Sequence, residues 1–194
     1  MNAYFSLPLI QTLFCLVLIA VVLRGHLRSS AHRLFSFFLL GLAIWGIIIF
    51  GMRASPDIEH AYFWERFLIP LAPLISVLFY HFAVHYTGTK IKKWCLPLLY
   101  VVCLCFIPLA TTDLVFSGMQ IKPYGYAPVL GSAAAFHILF SLGVQLIALL
   151  TFIKAYRTSF YAEERNRAAY IIEERKITWQ HSFLPFNRSS YRET

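Results

Sequence analysis

Trp64, Glu65 and Arg66 set an indole, a carboxylate and a guanidinium side by side at the start of a long apolar run. Ionisable side chains beside apolar segments are costly unless paired or hydrated, so such positions are candidate functional sites. Lys122, Tyr124 and Tyr126 lie in a later polar stretch. Together the six residues define a candidate ligand-binding site. Glu65 and Arg66 supply the charges, Trp64, Tyr124 and Tyr126 the aromatic walls, and Lys122 a further cation. The chemistry is recognition of a small polar molecule, and no spacing names it. The same residues also fit a plainer role as an interfacial ion pair or anchor, with Glu65 complementing a helix N-terminus.

His81 and His85 stand four apart and share one helix face. A haem or metal held there needs a ligand at equal depth on another helix, and His137 lies roughly 20 Å away along the membrane normal. The segment His81-Phe-Ala-Val-His85 has no Glu to act as a metalloprotease base. His26 and His32 remain within reach of His85, so a redox or metal enzyme stands as a minor alternative. Gln145, alone in an apolar run, is expected to hydrogen-bond to another helix and act as a helix-packing polar residue; lining a solute path is the sharper alternative. Cys15, Cys95, Cys103 and Cys105 form no CxxC pair and read as small apolar residues. No GxSxG elbow, P-loop or GxGxxG occurs, and no pair of acids converges. No catalytic residue, no metal and no cofactor is expected.

These residues sit among segments built for a bilayer. Hydrophobic residues make up 59% of the chain and charged residues 13%, with a mean hydropathy of +0.64. A soluble domain carries roughly a quarter charged residues, so this chain lacks the charge to coat a soluble particle. Five apolar blocks, at about 6–23, 34–52, 63–86, 94–111 and 133–156, each approach the roughly 20 residues that cross a membrane. The fold class predicted is all-α, a polytopic membrane bundle of about five transmembrane helices. The third block carries Glu65 and Arg66 in its opening turn.

The net charge of +8 sets topology and does not imply a nucleic-acid partner. Arg24, Arg28 and Arg33, then Lys90, Lys92 and Lys93, then Lys154, Arg157, Arg165 and Arg167 fall on one side; Arg53, Arg66 and Lys122 fall on the other. The richer side is expected in the cytoplasm of a multi-pass plasma-membrane protein, with the N-terminus outside and the C-terminus inside. The first charges, Arg24 and Arg28, follow the first apolar run, which suits an uncleaved first helix. Between helices four and five, Val115, Ser117, Met119 and Ile121 share a face of an extended chain punctuated by Pro123 and Gly125, predicting a short hairpin or flap over the outer ends of the helices. Residues 163–172 read as a cytoplasmic turn climbing toward a sixth helix, and 173–194 as an irregular cytoplasmic tail.

Several stretches carry a family resemblance. Trp45-Gly-Ile-Ile-Ile-Phe-Gly-Met-Arg53-Ala-Ser-Pro56-Asp57, then Phe63-Trp64-Glu65-Arg66, Leu78-Phe-Tyr80-His81-Phe82, Lys122-Pro-Tyr-Gly-Tyr126-Ala-Pro-Val and Glu163-Glu164-Arg165-Asn166-Arg167 occur in that order. Together they resemble the N-terminal seven-helix sensor region of bacterial membrane histidine kinases, over roughly Leu9 to Ile172. The resemblance implies a membrane sensor region over 1–172 that feeds a two-component transmitter. No phospho-acceptor helix or Gly-rich ATP lid follows helix five, so a truncated or frameshifted sensor is expected. The partners implied are the bilayer, a small-molecule or membrane-borne cue, and a second copy of the chain as a homo-oligomer. A small transporter or channel subunit is the alternative; it would show polar residues at mid-depth in several helices and inverted repeats with broken helices.

Overall fold

In a bilayer each backbone N–H and C=O must find its partner inside the segment, so long apolar runs become helices. The protein's structure, a computed structural model, describes residues 3–26, 29–122 and 125–182, with side chains described for 6–24, 29–122 and 125–158. The chain runs α1 (Ala3–His26), α2 (Ser30–Ala54), α3 (Ile58–Arg66), α4 (Leu68–Thr87), α5 (Cys95–Leu109), β1 (Phe116–Lys122), β2 (Gly125–Leu130) and α6 (Ala134–Ser182). The fold is an all-α membrane bundle with one small antiparallel hairpin. Residues 1–152 and 153–194 form separate units; the packing below is that of the first.

Among the described residues, four segments are long and apolar enough to cross a membrane: Ser6–Arg24, Ser30–Ala54, Ile58–Thr87 and Ala134–Thr158. α5, at 15 residues, rises about 22 Å. It runs back along α4: the Tyr100 hydroxyl lies 3.0 Å from His81 Nδ1, and Phe106 shares a buried cluster with Ile69 at the other end. α1 is antiparallel to α2, with the Thr12 hydroxyl donating to Ala43 O at 3.2 Å. α6 runs parallel to α4, from His137 beside Ile69 to Phe152 beside Tyr86. One end of the unit therefore carries the hairpin. The other carries the turn with Lys90, Lys92 and Lys93, and is called the basic end below. Arg28, counted with the basic connector, lies outside the described residues.

The third block begins earlier than expected and divides. Asp57 caps α3 by accepting the His60 backbone N–H at 2.9 Å, so the helix starts at Ile58, and Glu65 and Arg66 stand in its last turn and not in an opening one. Pro70 then lacks the N–H that would bond Arg66 O, and its ring crowds that carbonyl. The chain breaks at Phe67, whose N–H turns back to Trp64 O at 3.2 Å. α4 ends at Gly88, in the left-handed region at φ 65°, as a C-terminal cap favours.

The Asp57 carboxyl is held below its ordinary pKa by the His60 backbone N–H and then by the His60 side chain. A depressed acid stabilises above its unfolded value, about 3.9, and that contribution is lost as pH falls through the folded value. Acidification should therefore lower the melting temperature of the wild type toward that of Asp57→Ala. Asp57→Asn, which caps without titrating, should show less acid loss. Melts in detergent at several pH values check this.

α2 stands at the centre of the packing. Gly41, Gly46 and Gly51 recur every five residues, a rotation of about 140° each time, so each faces a different neighbour. A Cβ at Gly41 would lie 2.8 Å from Ile75 Cγ1 of α4, one at Gly46 2.8 Å from Pro8 O of α1, and one at Gly51 2.5 Å from Trp64 Cε2 of α3. Bare backbone at these points lets the helices approach closely, which drives association where lipid removes the hydrophobic incentive.

The hairpin pairs Lys122 with Gly125 and Phe116 with Leu130, with a bulge between Phe116 and Gly118. That irregularity breaks the single-face pattern expected of 115–121: Val115 is fully buried, whereas Ile121 is 72% exposed. α6 continues as helix through 163–172, where a turn was expected, to Ser182. Residues 173–182 are accordingly helical and not irregular. The reason is compositional, since no Gly or Pro occurs between Gly143 and Pro185. The remainder of the expected tail, 183–194, lies outside the described residues.

Candidate functional site

At the hairpin end, Tyr62 of α3 directs its hydroxyl at Asp113 Oδ1, 2.7 Å away, and at Phe116 O, 2.6 Å away. One phenol proton thus lies between two acceptors. The Arg66 guanidinium sits over the Tyr62 ring, 4.7 Å from its centroid, and reaches Asp113 Oδ1 at 3.4 Å. A cation beside the carboxylate and over the electron-rich ring face ties the three together. This clasp fastens the root of the hairpin to α3.

Directly below Phe116 lies a cavity of about 360 Å³. Gln11 of α1, Leu42 and Trp45 of α2, Ile75 of α4 and the α6 residues His137, Ser141 and Gln145 help to line it. Its volume is in the roughly 300–1,000 Å³ range of small-molecule sites, and its walls are apolar with a few polar groups, as such sites are. His137, Ser141 and Gln145 recur every four residues and form one polar stripe on α6. A neighbouring groove of about 620 Å³ between α1 and α2 shares Gln11 and Trp45 and extends to Arg53.

Each polar group of the stripe has a local cause. Pro73, inside α4, leaves Ile69 O without its helical donor. His137 Nε2 lies 2.9 Å from that oxygen. A carbonyl only accepts, so Nε2 carries the hydrogen and donates, and Nδ1 is left to face elsewhere. Phe106 and Phe116 hold the imidazole edge-on at 5.3 and 6.1 Å. Gln145 Nε2 donates to Ser76 Oγ of α4 at 3.1 Å, and Ser76 in turn donates to Ala72 O. His137 is 5% and Ser141 8% exposed, and both His137 Nδ1 and Ser141 Oγ are buried without a hydrogen-bond partner among the described residues.

Of the residues expected to form a ligand site, Trp64, Glu65 and Arg66 lie on α3 and Lys122 and Tyr126 on the hairpin strands that α3 touches. Trp64 packs its indole on Gly51. Glu65 is 2% exposed, with Oε2 unpartnered among the described residues. Arg66 belongs to the clasp. Lys122 is exposed at the end of β1, and Tyr126, half-buried on β2, pairs across the strands with Ile121. Tyr124 lies outside the described residues. None of the other five lines either cavity described above.

Sequence reasoning missed Tyr62, Asp113, Gln11, Trp45 and Ser141 as site residues. For His137 a signal existed in Pro73, since a proline inside a span frees a carbonyl that some donor must reach. Knowing which donor required knowing that α6 lies along α4.

Comparison with curated proteins and with solved structures finds no match. A family model described as the N-terminal 7TM region of histidine kinase matches residues 7–172. That span takes in most of the chain, from α1 through the hairpin and well into α6, and the chain belongs to this family of histidine-kinase N-terminal membrane regions.

Proposed function

We propose that the chain is a signal-input module that reads a cue arriving from outside the cell or from the bilayer and performs no chemistry of its own. The family membership supports the input role. The observation that carries the mechanism is the clasped hairpin lying over a cavity bounded by four helices that are not all neighbours in sequence. In this reading the cue displaces α4 and α6 slightly relative to each other, and the displacement is carried along α6 toward residues 154–172. A cue can do this only if it binds the two arrangements with different affinity. The concentration of Lys and Arg at the basic end supports a cytoplasmic position for that end, with the N-terminus outside.

Tyr86 and Phe152, with ring centroids 6.0 Å apart, mark the basic ends of α4 and α6. With Tyr86→Cys and Phe152→Cys installed in a background free of the four native cysteines, disulfide formation in membranes reports their separation. Asp113→Ala removes the acceptor shared by Tyr62 and Arg66 at the far end and is expected to change the crosslinking rate at least about threefold, the effect of roughly one hydrogen bond. An unchanged rate would mean that the two ends are not coupled, and the displacement mechanism would fall.

A further inference from the structure

We propose that the turn joining α4 to α5 is a selective seat for an anionic phospholipid, its phosphate held by Lys90, Lys92 and Lys93 and one acyl chain lying along α5.

The two ends of the first unit differ sharply in charge. Among the described residues the acidic side chains are Asp57, Glu59, Glu65 and Asp113, and all four belong to the hairpin end. The basic end carries Arg24, Arg33, Lys90, Lys92 and Lys93. The three lysines are exposed and crowd into one short turn, where their ammonium groups repel one another and no described carboxylate offsets them. An anion at the same depth removes that repulsion.

The turn is framed by hydrogen bonds and held near the headgroups. Thr89 N–H donates to Val84 O at 3.2 Å, and Cys95 N–H donates to Lys92 O at 3.0 Å. α5 has 15 residues and rises about 22 Å, short of the roughly 30 Å hydrocarbon core. A span that short draws its flanking residues toward the headgroups. Lys92 Nζ lies over the Trp94 ring, 5.9 Å from its centroid, and an indole favours that same interface.

Beyond Trp94 the surface suits a hydrocarbon chain. Trp94, Leu98, Val101 and Cys105 share one face of α5, and all four are exposed. An acyl chain laid on this stripe starts directly beside the lysines. A zwitterionic lipid brings its own cation to three ammonium groups, whereas phosphatidylglycerol brings a net negative charge. Free phosphate has no chain and gains nothing from the stripe.

The full chain is reconstituted in phosphatidylcholine vesicles, and Trp94 fluorescence is taken as the difference between wild type and Trp94→Phe. Phosphatidylglycerol or phosphatidylcholine brominated near the top of one acyl chain is added in rising mole fraction as the quencher. The Trp94 signal should be half-quenched at an at least about fivefold lower mole fraction of the phosphatidylglycerol, the effect of roughly one basic residue near an anionic lipid. Lys92→Gln with Lys93→Gln should bring the preference below about twofold, and Lys92→Arg with Lys93→Arg, which keeps both charges, should retain it. Equal quenching by the two lipids overturns the proposal, as does a preference that survives the glutamine pair. Loss of the preference when inorganic phosphate replaces chloride at constant ionic strength would assign the lysines to a free anion and overturn the lipid seat. The assay reads lipid binding alone, so its failure leaves the input-module reading intact.

Discussion

Replacing His137 by phenylalanine is expected to lower unfolding stability by about 1–2 kcal/mol, although the ring still fits between Phe106 and Phe116. The loss arises at Ile69 O, which Pro73 has deprived of a helical donor and which the imidazole N–H satisfies at 2.9 Å. An orphaned carbonyl costs about 1–3 kcal/mol. Interhelical hydrogen bonds in membranes average only about 0.6 kcal/mol, because the separated helices find other partners. The proline moves the expectation above that average, since the defect it creates lies in the backbone itself. Pro73→Ala supplies the missing N–H and removes the need for the imidazole. A double-mutant cycle over His137→Phe and Pro73→Ala, read by denaturation in mixed micelles, should therefore give a coupling of about 1 kcal/mol. Strict additivity would show that the histidine packs there without serving the carbonyl.

Gly46→Ala is expected to cost about 1–3 kcal/mol, a large effect for one methyl group. Its Cβ would stand 2.8 Å from the Pro8 carbonyl oxygen and would also run into Thr12 Oγ1. The first is backbone and cannot rotate away, so α1 must back off and lose the Thr12 bond to Ala43 O. Gly143→Ala is the control: nothing lies within 4 Å of the added Cβ, and alanine is the better helix former by about 1 kcal/mol. Thermal unfolding of the two variants in the same detergent should move in opposite directions. A neutral Gly46→Ala would mean that the close approach of α1 to α2 at Pro8 does not limit the packing of the pair.

The apolar blocks and the hairpin were legible because each is a local pattern: a run long enough to span, or a β-prone stretch broken at Pro123 and Gly125. The division of the third block was also written locally, in Pro70 four residues beyond Arg66, but the hydropathy of the run hides it. The site was far less legible. Trp64, Glu65 and Arg66 are adjacent in sequence, yet a helix turns about 100° per residue and sends them to three places: α2, the buried side of α3, and the clasp. The cavity is assembled from α1, α2, α4 and α6, and no sequence interval contains it. Gln145 announces itself as an amide in an apolar run, whereas Ser141 is small enough to pass as a packing residue until its unpaired oxygen is seen. The continuation of α6 beyond 172 was obscured by charge and aromatic content, although nothing there interrupts a helix.

The glycine spacing on α2 also bears on which helices can move separately. Turning α2 about its own axis would carry all three bare positions away from Ile75, Pro8 and Trp64 at once, so α2 behaves as a stator. α4 meets it at Gly41 through Ile75 and, nearer the basic end, through the Phe38–Phe79 and Phe35–Phe82 ring pairs, each 5.0 Å between centroids. From Ile75 to Phe82 these contacts extend over about 10 Å of α4. A tilt of α4 about any one of these contacts would strain the others, so α4 and α2 are built to move together. A displacement entering under the hairpin would thus reach the Tyr86–Phe152 contact as a movement of the α2–α4 pair against α6.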